Sequence, residues 1–185
     1  MSWIWIWILI RVTGLTAYVL LTLSILAGII KHIPGKKWRI LEFHQAIGQV
    51  ALVTIGIHAA LLIFDQYEPY TIEEILIPFM ASYHPILSAM GTIAAYLLVI
   101  VIVTSNFMKV IGRSLWKKTH YLVFLVWFLS LAHGLFLGSD SSTSWAIWLY
   151  FTSFLVVLCS TFYMIYRMKK KKAIASARKV SVTQS

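Results

Sequence analysis

The chain has 185 residues, of which 60% are hydrophobic and 12% charged, with a formal net charge of +10 and a mean hydropathy of +0.83. A water-soluble domain of this size cannot hide so much apolar surface, so the composition excludes an ordinary soluble enzyme. A single cysteine, Cys159, excludes a disulfide framework and a cysteine-held iron–sulfur or zinc centre, and the basic residues flank apolar runs instead of forming one soluble face, which argues against nucleic acid as a partner.

The first apolar run, Trp3 to Ile30, is too long for a signal-peptide core and has no basic region before it, so it is expected to be an uncleaved membrane anchor. Four further runs are long enough to cross about 30 Å of hydrocarbon: Ile40 to Phe64, Pro85 to Phe107, Thr119 to Leu137 and Trp145 to Tyr166. The expected fold class is therefore all-α integral membrane, a bundle of about five transmembrane helices spanning residues 1–166. Between the second and third runs, Ile72, Ile75, Leu76 and Phe79 share a helical spacing that Pro78 interrupts, which suits a segment lying flat on the membrane surface. Residues 167–185 are basic and lack apolar periodicity; they are expected to form a disordered cytoplasmic tail drawn to anionic lipid headgroups. No repeat of fixed period runs through the chain.

Loop charge sets the expected orientation. Lys31, Lys36, Lys37 and Arg39 follow the first run, Lys109, Arg113, Lys117 and Lys118 the third, and Arg167, Lys169 to Lys172, Arg178 and Lys179 the fifth. Asp65, Glu68, Glu73, Glu74 and Asp140 fall in the two other loops. The positive-inside rule then puts the N-terminus outside and the C-terminus in the cytoplasm of a cell-membrane protein. Trp3, Trp5, Trp7, Trp145 and Trp148 line the outer interface in this reading, and Tyr163 and Tyr166 the inner one.

Four histidines carry the chemistry. His44 and His58 lie on the second run, His120 and His133 on the fourth. An imidazole in hydrocarbon is costly without a partner, and here two helices carry two each. The helices run in the same direction, so His44 is level with His120 near the inner face and His58 with His133 toward the outer. Fourteen helical positions rise about 21 Å and thirteen about 19.5 Å, so the layers match in height. Fourteen positions also return His58 to the face of His44, whereas thirteen leave His133 roughly 140° from His120 on a straight helix. A local irregularity, a tilt or cofactors approached from different azimuths would reconcile the fourth run. One histidine from each helix suits a six-coordinate haem iron engaged in electron transfer. Gly48, Gly56 and Gly134 are expected to give a porphyrin room.

Arg11 lies near the depth of the outer pair, where the other spans offer no acid. Its expected partner is a haem propionate, a small anionic substrate or, by snorkelling, the outer headgroups. His84 and His32 read as solvated loop residues, His84 with the option of facing the outer site. Cys159 reads as core packing.

The segments Glu42 to Phe64, with His44, Gly48 and His58, and Gly112 to Asp140, with Trp116, His120, His133, Gly134 and Asp140, resemble the ferric reductase-like transmembrane domain, the bis-haem core shared by NADPH oxidases, ferric reductases and the haem subunit of methionine sulfoxide reductase. The thirteen and twelve residues between the paired histidines match its pattern. The resemblance implies two haems b, the inner on His44 and His120 and the outer on His58 and His133, with Arg11 as a further cofactor contact. It implies electron transfer from the cytoplasmic side outward. No glycine-rich dinucleotide fingerprint follows the last run, so the chain is expected to be an electron-transfer subunit of an oxidoreductase. The implied partners are membrane lipid, a cytoplasmic flavoprotein reductase or quinol donor, with a flavin or quinone supplied by or shared with it, and an outer-face acceptor. The rivals are a histidine-lined proton or metal-ion transporter, a non-redox scaffold and a quinol oxidoreductase of the cytochrome b561 type.

Overall fold

A computed structural model describes residues 2–30 and 37–183, and every regular element among them is helical. In chain order these are α1 (Ser2–Ile30), α2 (Lys37–Leu62), α3 (Ile72–Leu76), α4 (Pro85–Asn106), α5 (Met108–Ile111), α6 (Arg113–His120), α7 (Leu122–Leu137) and α8 (Ser144–Thr183). Hydrocarbon offers the backbone no hydrogen-bond partner, so apolar runs of this length must satisfy themselves as helix. Among the described residues five segments are long and apolar enough to cross a membrane: Ile4–Ile30, Arg39–Leu62, Pro85–Asn106, Arg113–Leu137 and Ser144–Lys171. The protein is a multi-pass helical membrane protein. The ends carrying the basic and the acidic loops are called inner and outer below, following the loop-charge reading.

Packing divides the spans into two pairs. α1 packs most extensively on α2, and α4 on α7, while α2 and α4 meet only slightly. α1, α7 and α8 close one side through Tyr18, Leu21 and Ile25, Val126, Trp127 and Leu131, and Ala146, Tyr150 and Val157. Polar groups inside this apolar seam are paired, as the absence of water requires. The Trp127 indole donates to Thr22 Oγ1 at 2.9 Å, and the Tyr18 hydroxyl bonds to Ser153. The opposite side is looser. Phe43, Val50, Val53 and Ile57 of α2 face outward, where lipid covers them, and Trp5, Trp145 and Trp148 at one end and Tyr163 and Tyr166 at the other are exposed as interface belts require.

The fourth span is two helices. α4 ends at Asn106, α5 makes one turn, and Gly112, with φ 82° and ψ 152°, reverses the chain into α6. Only glycine adopts that backbone without strain. α6 ends at His120, and the amide of Phe124 bonds to the carbonyl of Tyr121 at 3.2 Å, a tight three-residue link in place of a regular turn. Such a turn advances about 120° per residue against 100°. It therefore takes up part of the rotational shortfall between His120 and His133, and the straight helix assumed from sequence does not exist at this point.

Two other expectations change. The tail beyond Arg167 is not irregular: α8 continues as one helix of 40 residues to Thr183, on the order of 60 Å long and about twice the hydrocarbon thickness. Cys159 faces outward from α8 instead of packing in the core. His32 falls outside the described residues.

The outer connection between α2 and α4 is pinned by one carboxylate. Glu74 accepts from the amide of Thr71 at 2.9 Å and from that of Ser82 at 2.8 Å, while Thr71 Oγ1 accepts from the Glu74 amide. This capping box starts α3, and Pro78 follows its end. The bonds from Ser82 and then Thr71 hold the Glu74 carboxyl down to about 2. Because the folded value lies below the unfolded one, its contribution is present above about pH 4.5 and is lost as pH falls toward 2. Amide exchange at Thr71 and Ser82 should therefore accelerate across that window. Glu74→Gln should show the faster exchange already at neutral pH, and equal protection in the two proteins would contradict the assignment.

Two histidine layers as a candidate cofactor site

The four membrane histidines form two pairs. The rings of His44 and His120 lie 5.9 Å apart, centroid to centroid, at an interplanar angle of 75°. His58 and His133 lie close enough to interact electrostatically. α2 and the broken α6–α7 span thus bring together the same partners that the level argument paired.

Each ring is seated on a neighbouring helix, and three of the seats are alike. His44 Nδ1 donates to the carbonyl of Ser24 at 2.7 Å, His58 Nδ1 to that of Ile10 at 3.0 Å, and His133 Nδ1 to that of Leu87 at 2.8 Å. Four residues after each acceptor stands a glycine: Gly28, Gly14 and Gly91. A Cβ on these would meet the imidazole at 3.3, 3.1 and 2.9 Å respectively. In a helix the residue at i+4 stands beside carbonyl i, so only a missing side chain lets a ring approach that oxygen. The fourth ring, His120, meets Ser105 Oγ at 3.4 Å and stacks on Trp116 at 5.2 Å between centroids. A carbonyl only accepts, so Nδ1 of His44, His58 and His133 carries the proton and Nε2 keeps its lone pair. That is the tautomer a metal needs, and the carbonyl bond strengthens the ligand.

The glycines expected to give a porphyrin room have other surroundings than those that seat the rings. Gly48 faces Ser24, Gly134 faces the Tyr150 hydroxyl of α8, and Gly56 borders open space. Gly14, Gly28 and Gly91, which seat the histidines, escaped the sequence reading because they lie on the partner helices. A signal was present: Gly14 and Gly28 are fourteen residues apart, the interval of His44 and His58.

The residues suit a planar, four-donor iron ligand such as haem. Among the described residues no three His, Cys, Asp or Glu side chains converge on one point, and His44 with His120 and His58 with His133 would hold such a group as pairs of imidazoles. Metal–imidazole bonds of about 2 Å to a shared iron would put two ring centroids on the order of 6 Å apart, close to the spacing of the inner pair. A small, partly open cavity of about 70 Å³ borders His44 and His120, walled by Ile25, Gly28, Met164 and Met168.

Arg11 has an acid after all. It forms an ion pair with Asp140, with Nε 2.8 Å from Oδ2, and its guanidinium lies 3.9 Å from the Trp7 ring centroid. Asp140 was assigned to an outer loop, but the turn after α7 folds it inward, where the carboxylate is 7% exposed. Arg11 follows Ile10, the acceptor for His58, so the pair sits beside the outer layer. His84 lies at the start of α4 with φ 44°, exposed and edge-on to Tyr83 at 4.3 Å.

Apolar spans with imidazoles paired at two levels define a multi-pass helical membrane protein with a candidate cofactor site. The chain belongs to the ferric reductase-like transmembrane family: the model described as ferric reductase like transmembrane component matches residues 13–131. That match includes His44, His58 and His120 and stops two residues before His133. No curated protein and no solved structure matches the chain. Membership points to a membrane redox role in a family that generally binds haem b.

Three substitutions check this geometry. Gly91→Ala should destabilise the detergent-solubilised protein by about 1–3 kcal/mol through overpacking, and by more than Gly28→Ala, whose Cβ has more room; thermal melts in the reverse order would contradict the seats. Asp140→Asn should cost about 1–3 kcal/mol. This is less than a fully buried pair would lose, because Arg11 is 28% exposed. An unchanged melting temperature would show the ion pair to be dispensable.

Proposed function

We propose that the chain is a di-haem b-type cytochrome that moves electrons across the membrane, from a cytoplasmic reductase or quinol to an acceptor at the outer face. The observation that carries this reading is the seating of His44, His58 and His133 through Nδ1, which prepares their Nε2 atoms as iron ligands in layers that pair across the bundle. His44 and His120 would hold the inner haem, and His58 and His133 the outer one. When bound, haem b supplies one-electron iron chemistry.

The chain's own residues do the positioning. α1 fixes both rings of α2, and α4 faces both rings of the fourth span, so each layer is clamped between two helix pairs. The apolar residues bordering the inner pair, Ile25, Val123 and Phe124 among them, would lower the local dielectric around a bound haem and so tune its potential. The Arg11–Asp140 pair fixes a cation beside the outer layer, where it can offset propionate charge. A positive-inside orientation directs the basic loops and the helical extension of α8 to the donor side.

A dithionite-reduced minus oxidised spectrum, with haem quantified per chain, tests the proposal. Two haems are expected. His44→Ala and His120→Ala should each abolish one b-type component, and His58→Ala and His133→Ala the other. Colourless protein would favour a histidine-lined transporter, and loss of one haem through His44 with His133 would overturn the pairing.

A further inference from the structure

We propose that Ser105 is a positioning residue that makes His120 a weaker iron donor than the other three histidines, setting the inner layer's potential apart. This rests on the di-haem reading above. α4 presents two seats fourteen residues apart, Leu87 with Gly91 and Val101 with Ser105, as α1 presents Ile10 with Gly14 and Ser24 with Gly28. Only the Val101 seat has a side chain at the glycine place. There Ser105 Oγ donates to the carbonyl of Val101 at 2.7 Å, so the hydroxyl occupies the position that an imidazole takes in the other three seats.

The Ser105 proton is committed to Val101, so Oγ serves His120 as an acceptor. It does so while also accepting from the Trp116 indole at 3.2 Å, and the contact with His120 Nδ1 is 3.4 Å. The other three Nδ1 atoms reach main-chain carbonyls at 2.7, 2.8 and 3.0 Å, with the Ser24 hydroxyl 3.1 Å from His44 and that of Thr13 3.5 Å from His58 as longer side contacts. A long, shared bond polarises the N–H less than a direct carbonyl bond, because hydrogen bonds weaken with stretching. Less polarisation leaves the ring less imidazolate-like, and a less basic ligand favours ferrous over ferric iron. The inner layer thereby holds an incoming electron more firmly than a fourth glycine seat would allow.

Spectroelectrochemical titration of the full-length, haem-loaded protein tests this. In Ser105→Gly the ring can reach Val101, and the midpoint of the haem that His120→Ala abolishes should move to more negative potential while the other stays. Ser105→Ala keeps the obstruction and removes the acceptor, so the same midpoint should move positive. Ser105→Thr should restore the wild-type value. Trp116→Phe keeps an aromatic ring beside His120 and frees Oγ from the indole, so it should shift the midpoint negative, which covers a glycine variant that fails to fold. Two haems whose midpoints ignore all these changes, or move together in Ser105→Gly and Ser105→Ala, would overturn the role of Ser105 alone. A wild-type protein without haem overturns the di-haem reading as well.

Discussion

An imidazole N–H in hydrocarbon must find an acceptor, and a transmembrane helix has few to give because its carbonyls are already bonded along the ladder. The bundle answers this with a notch: a glycine four residues after the acceptor removes the side chain that would otherwise cover the oxygen. Much of the architecture follows from that arrangement. The most extensive helix contacts are α1 with α2 and α4 with α7, because each of these pairs brings rings onto their acceptors. The contact between α2 and α4 is slight by comparison, which in the proposed reading leaves room for a cofactor between the two pairs.

Seating alone would not align the layers, because the fourth span carries its histidines thirteen residues apart. The tight link at Tyr121 lies directly after His120 and nowhere near His133, so the correction is confined to the inner end and the upper helix stays regular. Trp116, one turn before His120, stacks on its ring and ties the short α6 to α4 through Ser105. At the outer end Arg11 and Asp140 hold the start of α1 against the turn after α7.

The features legible in the sequence were those that one helix shows by itself. Length and apolarity marked five spans, and residue counting put His44 level with His120 and His58 with His133. Features that depend on which helix lies next to which were hidden. Gly14, Gly28 and Gly91 sit on helices that carry none of the four paired histidines, while of the glycines beside the histidines in sequence Gly134 meets Tyr150 and Gly56 borders open space. Asp140 was discounted because loop membership was equated with depth, and a turn of a few residues can fold a carboxylate inward. The tail's polarity concealed its helicity: a preformed helix can propagate through Lys-rich sequence that would be marginal as an isolated segment. The family profile ends before His133, so that ligand rests on span counting and on its Leu87 seat.

The space between the layers has its own determinant. Trp127 lies seven residues after His120 and six before His133, and its indole bond to Thr22 joins the middle of this stretch to α1 two residues before the Ser24 seat. Tyr18 and Phe154 stack on it from α1 and α8, at 6.4 and 6.5 Å between centroids. A large buried ring held by a hydrogen bond resists collapse better than aliphatic packing, because it has one orientation in which its N–H is satisfied. In the proposed reading the two layers would be tuned separately, the outer beside the Arg11–Asp140 pair and the inner beside the serine that stands where the other seats have a glycine. A symmetric set of four glycine seats would supply less of that separate control.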